Sequence, residues 1–120
     1  MSTALEGIRV LEVGGTTDFA LPYAGLLLAD LGADVILVED NSGHPLRAGH
    51  PALPPDSAVH GAVFDFLNTG KRSVSVEYSI SGNIEFAALV ASAQIILTTL
   101  LPEEFAALEL NIPNTQQIAI

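Results

Sequence analysis

Ile8-Arg9-Val10-Leu11-Glu12-Val13, then Gly14-Gly15, then Pro22-Tyr23-Ala24-Gly25-Leu26-Leu27-Leu28-Ala29-Asp30-Leu31, then Gly32, then Val35-Ile36-Leu37-Val38: this order of words decides the fold. The first word is a short β-rich run stopped by a glycine pair. The second, at 22–31, is rich in Leu and Ala and predicts a helix, with Pro22 near its first turn and Gly32 at its end. It is apolar nearly all round until Asp30, the pattern of a buried helix. The third is a continuous apolar run, as expected of a strand covered on both faces.

Working outward, residues 39–61 are Pro- and Gly-rich, hold all three histidines and read as one long loop. A loop of that length in a small domain is usually functional or mobile. Residues 63–68 fit a short helix or a strand alike. Residues 73–78 alternate as Ser-Val-Ser-Val-Glu-Tyr, a strand with one face partly exposed. Residues 81–93 place Ile84, Phe86, Leu89 and Val90 on a helical face, with Ser81 as N-cap and Glu85 in the first turn. Residues 95–97 predict a buried strand, 103–110 a short helix after Pro102, and 118–120 a last strand. Alternation of this kind predicts an α/β fold: one Rossmann-like domain over 1–120, its mainly parallel sheet carrying helices on both faces.

The chain has 120 residues, 4 Lys+Arg against 14 Asp+Glu, a net charge of −10 and no cysteine. Nucleic-acid binding through a basic surface is excluded, because Arg9, Arg47, Lys71 and Arg72 are the only cations. Without cysteine there is no disulfide, no thiol nucleophile and no thiolate metal site. Hydrophobic residues make up 49% and charged residues 15%. The longest run without a formal charge, 86–102, is interrupted by Ser92, Gln94, Thr98 and Thr99, so it predicts two short elements rather than a membrane span. The opening Met-Ser-Thr-Ala lacks a signal-peptide pattern, and the expected compartment is the cytoplasm.

Several residues invite a chemical role. Gly14-Gly15 after the first strand and Glu39-Asp40 after the second suggest a dinucleotide site, where glycines admit a pyrophosphate and an acid takes a ribose. The residues 14–19, however, are not G-x-G-x-x-G, so an ordinary glycine turn beside solvated acids is the plainer reading. His44, His50 and His60 lack the spacing of a zinc pair and read as solvated loop residues; no metal is expected. Asp18 or Asp65 has the chemistry of a base or nucleophile, without a motif to lift either above a surface acid. Lys71-Arg72 is the only cationic pair, suited to a phosphate or carboxylate, or equally to protecting a strand edge.

The words 5–12 and 22–36, followed by Glu39, together resemble the opening of the family III CoA-transferases, which include formyl-CoA and carnitine CoA-transferases and α-methylacyl-CoA racemase. Asn68-Thr69-Gly70-Lys71-Arg72-Ser73-Val74 is similar to that family's N-x-G/N-K-R-S strand entry, and Gly82 with Leu89-Val90-Ala91 to the helix that follows. The resemblance runs from Leu5 to about Pro102. It implies a Rossmann-like large domain that binds the CoA nucleotide, in chains that pair as interlocked rings. It also implies an aspartate nucleophile that forms an acyl anhydride and then an aspartyl-CoA thioester. That aspartate falls outside the matched residues, so no catalytic residue is assigned here.

By the same resemblance, CoA would meet Ala20, Pro22, Tyr78 and Thr99, with Lys71 and Arg72 as the remaining cations. The departures weaken that site. Ala20-Leu21-Pro22 replaces Ala-Gly-Pro in a longer loop; Asp40, Ser79 and Ala107 stand where cations are common; Thr98-Thr99-Leu100 replaces Glu-Asn-Phe. The expectation is therefore the N-terminal CoA-binding-type domain of a CoA-transferase or racemase, incompetent alone. It would work as a homo-oligomer, or with a missing C-terminal segment or a second subunit. A degenerate scaffold domain is the alternative, and a nicotinamide-type nucleotide binder the weaker one. Membrane and nucleic acid are not expected partners.

Overall fold

β1 (Arg9–Val13) turns Val10 to one face and Leu11 and Val13 to the other, with Glu12 the one acid buried in the strand, and only a sheet covered twice can bury both faces. A computed structural model describes residues 3–49, 59–79, 83–108 and 116–119. After β1 come α1 (Ala20–Asp30), β2 (Asp34–Glu39), a 3-10 turn (Pro45–Ala48), α2 (Val59–Leu67), β3 (Arg72–Ser75), α3 (Ile84–Ser92), β4 (Ile95–Thr98), α4 (Pro102–Ala106) and β5 (Gln116–Ala119).

The five strands lie in the order β3-β2-β1-β4-β5, and every described pairing is parallel. Val10 sits beside Val35 of β2 and Ile95 of β4, and the register continues to Val13 between Val38 and Thr98. The order reverses at β1, so its carboxyl end, between β2 and β4, is where a doubly wound sheet opens a crevice. Val10, Val35 and Leu97 face α1 with Leu21 and Ala33. Leu11, Val13, Ile36, Val38 and Ile96 face the other way, against Phe86 and Val90 of α3 and Phe105 of α4. Burying each such side chain is worth about 1.5–3 kcal/mol. Leu37 meets Leu46, Phe64 and Leu67, which seats α2 and the 3-10 turn on the α1 side.

The α/β architecture with helices on both faces is as the sequence predicts; the details differ in instructive places. The long loop expected over 39–61 is shorter: Glu39 belongs to β2, Pro45–Ala48 form a turn, and α2 begins at Val59. Residues 50–58 lie outside the described residues. The segment 63–68 is helical through Leu67. β3 ends at Ser75 instead of Tyr78, because β2 stops at Glu39, whose carbonyl accepts the last link from Val76 N at 2.7 Å. Ser81 lies outside the described residues; α3 is capped by Asn83, whose Oδ1 accepts from Phe86 N at 3.0 Å, with Glu85 in the first turn as expected. Helix α1 buries only Leu21, Pro22, Gly25 and Leu26, whereas all-round burial was expected.

The unburied side of α1 carries an apolar ridge at a spacing of four: Phe19, Tyr23, Leu27 and Leu31, between 43% and 51% exposed. With Ala62, Val63, Phe66 and Leu67 from α2, the ridge's Phe19 and Tyr23 line an open apolar groove of about 500 Å³. Among the described residues no helix is long and apolar enough to cross a membrane.

Candidate functional site

The carboxyl ends of β1, β2 and β3 converge on one cleft. Gly14 turns the chain out of β1 with φ of +91°, and a side chain there would meet Thr99 Oγ1 at 2.8 Å. A Cβ on Gly15 would meet Pro45 Cδ at 2.7 Å. The glycine pair therefore lets the loops after β4 and β2 close on the end of β1. What remains open, about 90 Å³, is lined by Gly14, Gly15, Glu39, Asp40, Ser42, Gly43, His44 and Tyr78.

Among the residues expected at a nucleotide, Tyr78 lines this cleft and Thr99 lies against its glycine turn. Ala20 opens α1 and is exposed; Pro22 is buried and turned inward. Tyr78 is half-buried, its ring 5.8 Å from that of Phe86. Burial pushes its hydroxyl above the ordinary value, and the carboxylates of Asp40, Glu104 and Glu77 add to that. The cleft is acidic.

Lys71 and Arg72 are elsewhere. Arg72 grips Asp34 at the opposite end of the sheet, with Nη2–Oδ2 at 2.6 Å and Nε–Oδ1 at 2.9 Å. Arg9 shares that carboxylate at 2.9 Å. Arg72, more than Arg9, holds Asp34 below the usual carboxylate range. Lys71 is neither a solvated edge residue nor a surface cation, because its side chain is only 1% exposed. Its Nζ lies 2.5 Å from Glu12 Oε2 and donates to Pro22 O at 2.8 Å and Asn68 Oδ1 at 2.9 Å. Glu12 is wholly buried, and beyond this charge contact neither carboxylate oxygen has a hydrogen-bond partner among the described residues. Burial pushes its carboxyl up to about 7, while the Lys71 ammonium pulls it back down. Burial likewise pushes Lys71 below its ordinary value, against the pull of Glu12.

Glu39 is not a solvated strand-end acid either. Arg47 embraces it with bonds of 2.7 and 2.9 Å, Ser73 Oγ donates at 2.5 Å and His44 N at 2.7 Å. Arg47, then Ser73 and the His44 amide, bring its carboxyl down to about 2 against the cost of burial. The Arg47 guanidinium also lies 4.2 Å over the Phe64 ring. All four cations of the chain are thus paired with a carboxylate.

His44, expected in solvent, is buried; its Nδ1 caps the 3-10 turn by accepting from Leu46 N at 3.1 Å, and burial lowers its pKa. His50 and the side chain of His60 lie outside the described residues. Asp18 and Asp65 are exposed. Among the described residues no three His, Asp or Glu side chains gather as a metal would require. Sequence reasoning missed Glu12 and its tie to Lys71. The available signal was an acid in the middle of an apolar strand facing a helix that carries Gly25.

A family model for CoA-transferase family III matches residues 5–119. The chain belongs to CoA-transferase family III. The succinyl-CoA:mesaconate CoA-transferase of Haloarcula hispanica is 36% identical over 96 residues, 78% of this chain and 24% of that protein. A probable fatty acyl-CoA transferase of Mycobacterium tuberculosis is 36% identical over 103 residues, 82% of this chain and 24% of that one. A crystal structure of the mycobacterial protein superposes with a TM-score of 0.73 at 30% identity, covering 97% of this chain and 33% of that chain. A CAIB/BAIF family protein from Brucella suis gives 0.72 at 31% identity, over 92% of this chain and 29% of that one. The family III chain described here spans about a quarter of the length of these two sequence relatives.

Proposed function

We propose that this chain is the N-terminal, CoA-binding-type domain of a cytoplasmic CoA-transferase or acyl-CoA racemase, and that it moves no CoA between carboxylates by itself. The family match over residues 5–119 carries the reading, with the cleft at the carboxyl ends of β1, β2 and β3 as the place for the nucleotide. Relatives act on succinyl-CoA with mesaconate, or on cinnamoyl-CoA with phenyllactate, so the substrate class is a CoA thioester with a carboxylic acid acceptor. Covalent catalysis needs a nucleophile that no residue here matches. Incubated with succinyl-CoA and a dicarboxylate, the chain is expected to yield no thioester exchange above a buffer blank by mass spectrometry. Turnover would overturn the claim.

One observation favours a second reading, a scaffold that has lost its ligand: every cation is engaged by a carboxylate, and none remains for the phosphates of CoA. Both readings expect CoA, through Ala20, Pro22, Tyr78 and Thr99, to bind more weakly than micromolar. Calorimetry separates them: a measurable weak constant supports the domain reading, and no heat at millimolar CoA supports the scaffold.

The ridge of Phe19, Tyr23, Leu27 and Leu31 supports the further reading that the chain works as a homo-oligomer or beneath a covering segment of a partner. Exposed apolar patches of a few hundred Å² usually mark interfaces. Net repulsion is screened beyond about 8 Å at physiological salt, so apolar contact prevails at short range. Light scattering is expected to give a mass above the single-chain 12.5 kDa. The Leu27→Glu variant should return it to that value; a monomer at every concentration would refute self-association.

A further inference from the structure

Of the two acids that follow one another at the end of β2, the structure leaves one available. Glu39 is held by Arg47, Ser73 and the His44 amide. Asp40 is fixed through one oxygen only: its Oδ1 accepts from Ser42 N at 3.0 Å and Ser42 Oγ at 2.6 Å. Its Oδ2 has no hydrogen-bond partner among the described residues, and Asp40 lines the cleft together with the Gly14-Gly15 turn and Tyr78. The side chain is therefore pre-oriented by a tight turn at the edge of the cleft, with one acceptor left over.

In a doubly wound sheet, a carboxylate at the end of the second strand accepts the hydroxyls of a ribose, whereas a cation there accepts a ribose phosphate. Coenzyme A carries a phosphate on the 3′ carbon of its adenosine; dephospho-coenzyme A has both ribose hydroxyls free. Near Asp40, Glu77 and Glu104 add negative charge at the same Tyr78, and the one cation close by, Arg47, is already taken by Glu39. A doubly charged 3′-phosphate placed against Asp40 would meet a like charge that no free cation offsets. The diphosphate bridge would lie toward the amino end of α1, which follows the glycine turn and favours anions.

We propose that Asp40 makes this cleft select an adenine nucleotide with a free ribose diol, dephospho-coenzyme A over coenzyme A. The inference rests on the nucleotide-binding reading above and names its ligand class.

The test titrates the 120-residue chain with coenzyme A, dephospho-coenzyme A and ADP, by calorimetry or amide shifts, at low and at high salt. Dephospho-coenzyme A should bind about tenfold more tightly than coenzyme A at low salt, from one doubly charged group a few Å from a carboxylate, and the ratio should shrink as salt rises. ADP, with the same diol and no pantetheine arm, should share the preference over coenzyme A if the ribose is what is read. Asp40→Asn keeps the acceptor for Ser42 and removes the charge, so the ratio should fall toward one; Asp40→Arg should reverse it. Equal binding of both nucleotides to the wild type, or an unchanged ratio in Asp40→Asn, overturns the ribose inference and leaves the nucleotide site standing. Binding of neither nucleotide overturns both.

Discussion

Replacing Lys71 with methionine is expected to remove about 3–5 kcal/mol of stability at pH 8, the usual cost of stripping the partner from a buried charge. The methionine fills much the same volume, so the loss reports charge and hydrogen bonding. Three contacts vanish at once: the ion pair with Glu12, the bond to Pro22 O and the bond to Asn68 Oδ1. The sign with pH follows from Glu12, whose folded carboxyl is raised from 4.5 to about 7. A raised acid holds a proton in the folded state that the unfolded chain has released. Its favourable contribution is full below 4.5 and is lost as pH rises through 7. Without the ammonium to pull it down, Glu12 stays protonated to still higher pH, so the variant should lose least near pH 5 and most above pH 7. Urea unfolding followed by circular dichroism at several pH values measures this. The double variant Glu12→Leu with Lys71→Met should recover at least half of the loss, because an apolar pair leaves no orphan charge. A pH-independent cost below ~1 kcal/mol would show that the pair is not buried as described.

How much of this was legible in the sequence differs between backbone and side chains. Strands at 8–13, 35–38 and 95–97, and a helix at 22–31, announce themselves because each apolar run is local and its neighbours along the chain decide it. Strand limits set by a partner do not: β3 stops at Ser75 because β2 runs out at Glu39, and nothing within 73–78 contains that information. The capping of α3 by Asn83 was concealed by the equally suitable Ser81 two residues earlier. Lys71 is the sharpest case. Its motif marks it as a cation after a glycine, ready for a phosphate. Its carboxylate partner Glu12 lies in β1, its carbonyl partner Pro22 in α1, and only the assembled sheet brings them together. The parity of β1 places Glu12 on the α1 side with Val10, a clue that is usable once the helix is known to lie on that face. The family resemblance points to Tyr78, which lines the cleft, and to Thr99, which lies against its glycine turn, but it has no means of showing that the four cations are internally engaged.

The same pair makes Gly25 hard to replace, and Gly25→Ala is expected to cost about 3 kcal/mol. By helix propensity alone, alanine for glycine inside a helix should stabilise by roughly 1 kcal/mol. At Gly25 the new methyl would stand 1.8 Å from Glu12 Oε2, 2.6 Å from its Cδ and 3.1 Å from Lys71 Nζ. The carboxylate has nowhere to retreat, since Glu12 is wholly buried and its other side is the sheet itself. Either α1 lifts from β1, which opens the contact of Leu21 with Val10 and Val35, or the ion pair breaks inside the protein. Overpacking costs about 1–3 kcal/mol and an unpaired buried charge more, so both routes outweigh the propensity gain. Gly61 provides the control within the same molecule, because it lies in α2 with nothing within 4 Å of where a side chain would go. Gly61→Ala should therefore raise stability by about 0.5–1 kcal/mol through the propensity term alone. Two identical substitutions with opposite signs, read by the same urea titration, isolate the ion pair as the cause. A Gly25→Ala variant as stable as the Gly61→Ala one would mean that Glu12 turns away from α1, and the strut between β1, α1 and Lys71 would have to be abandoned.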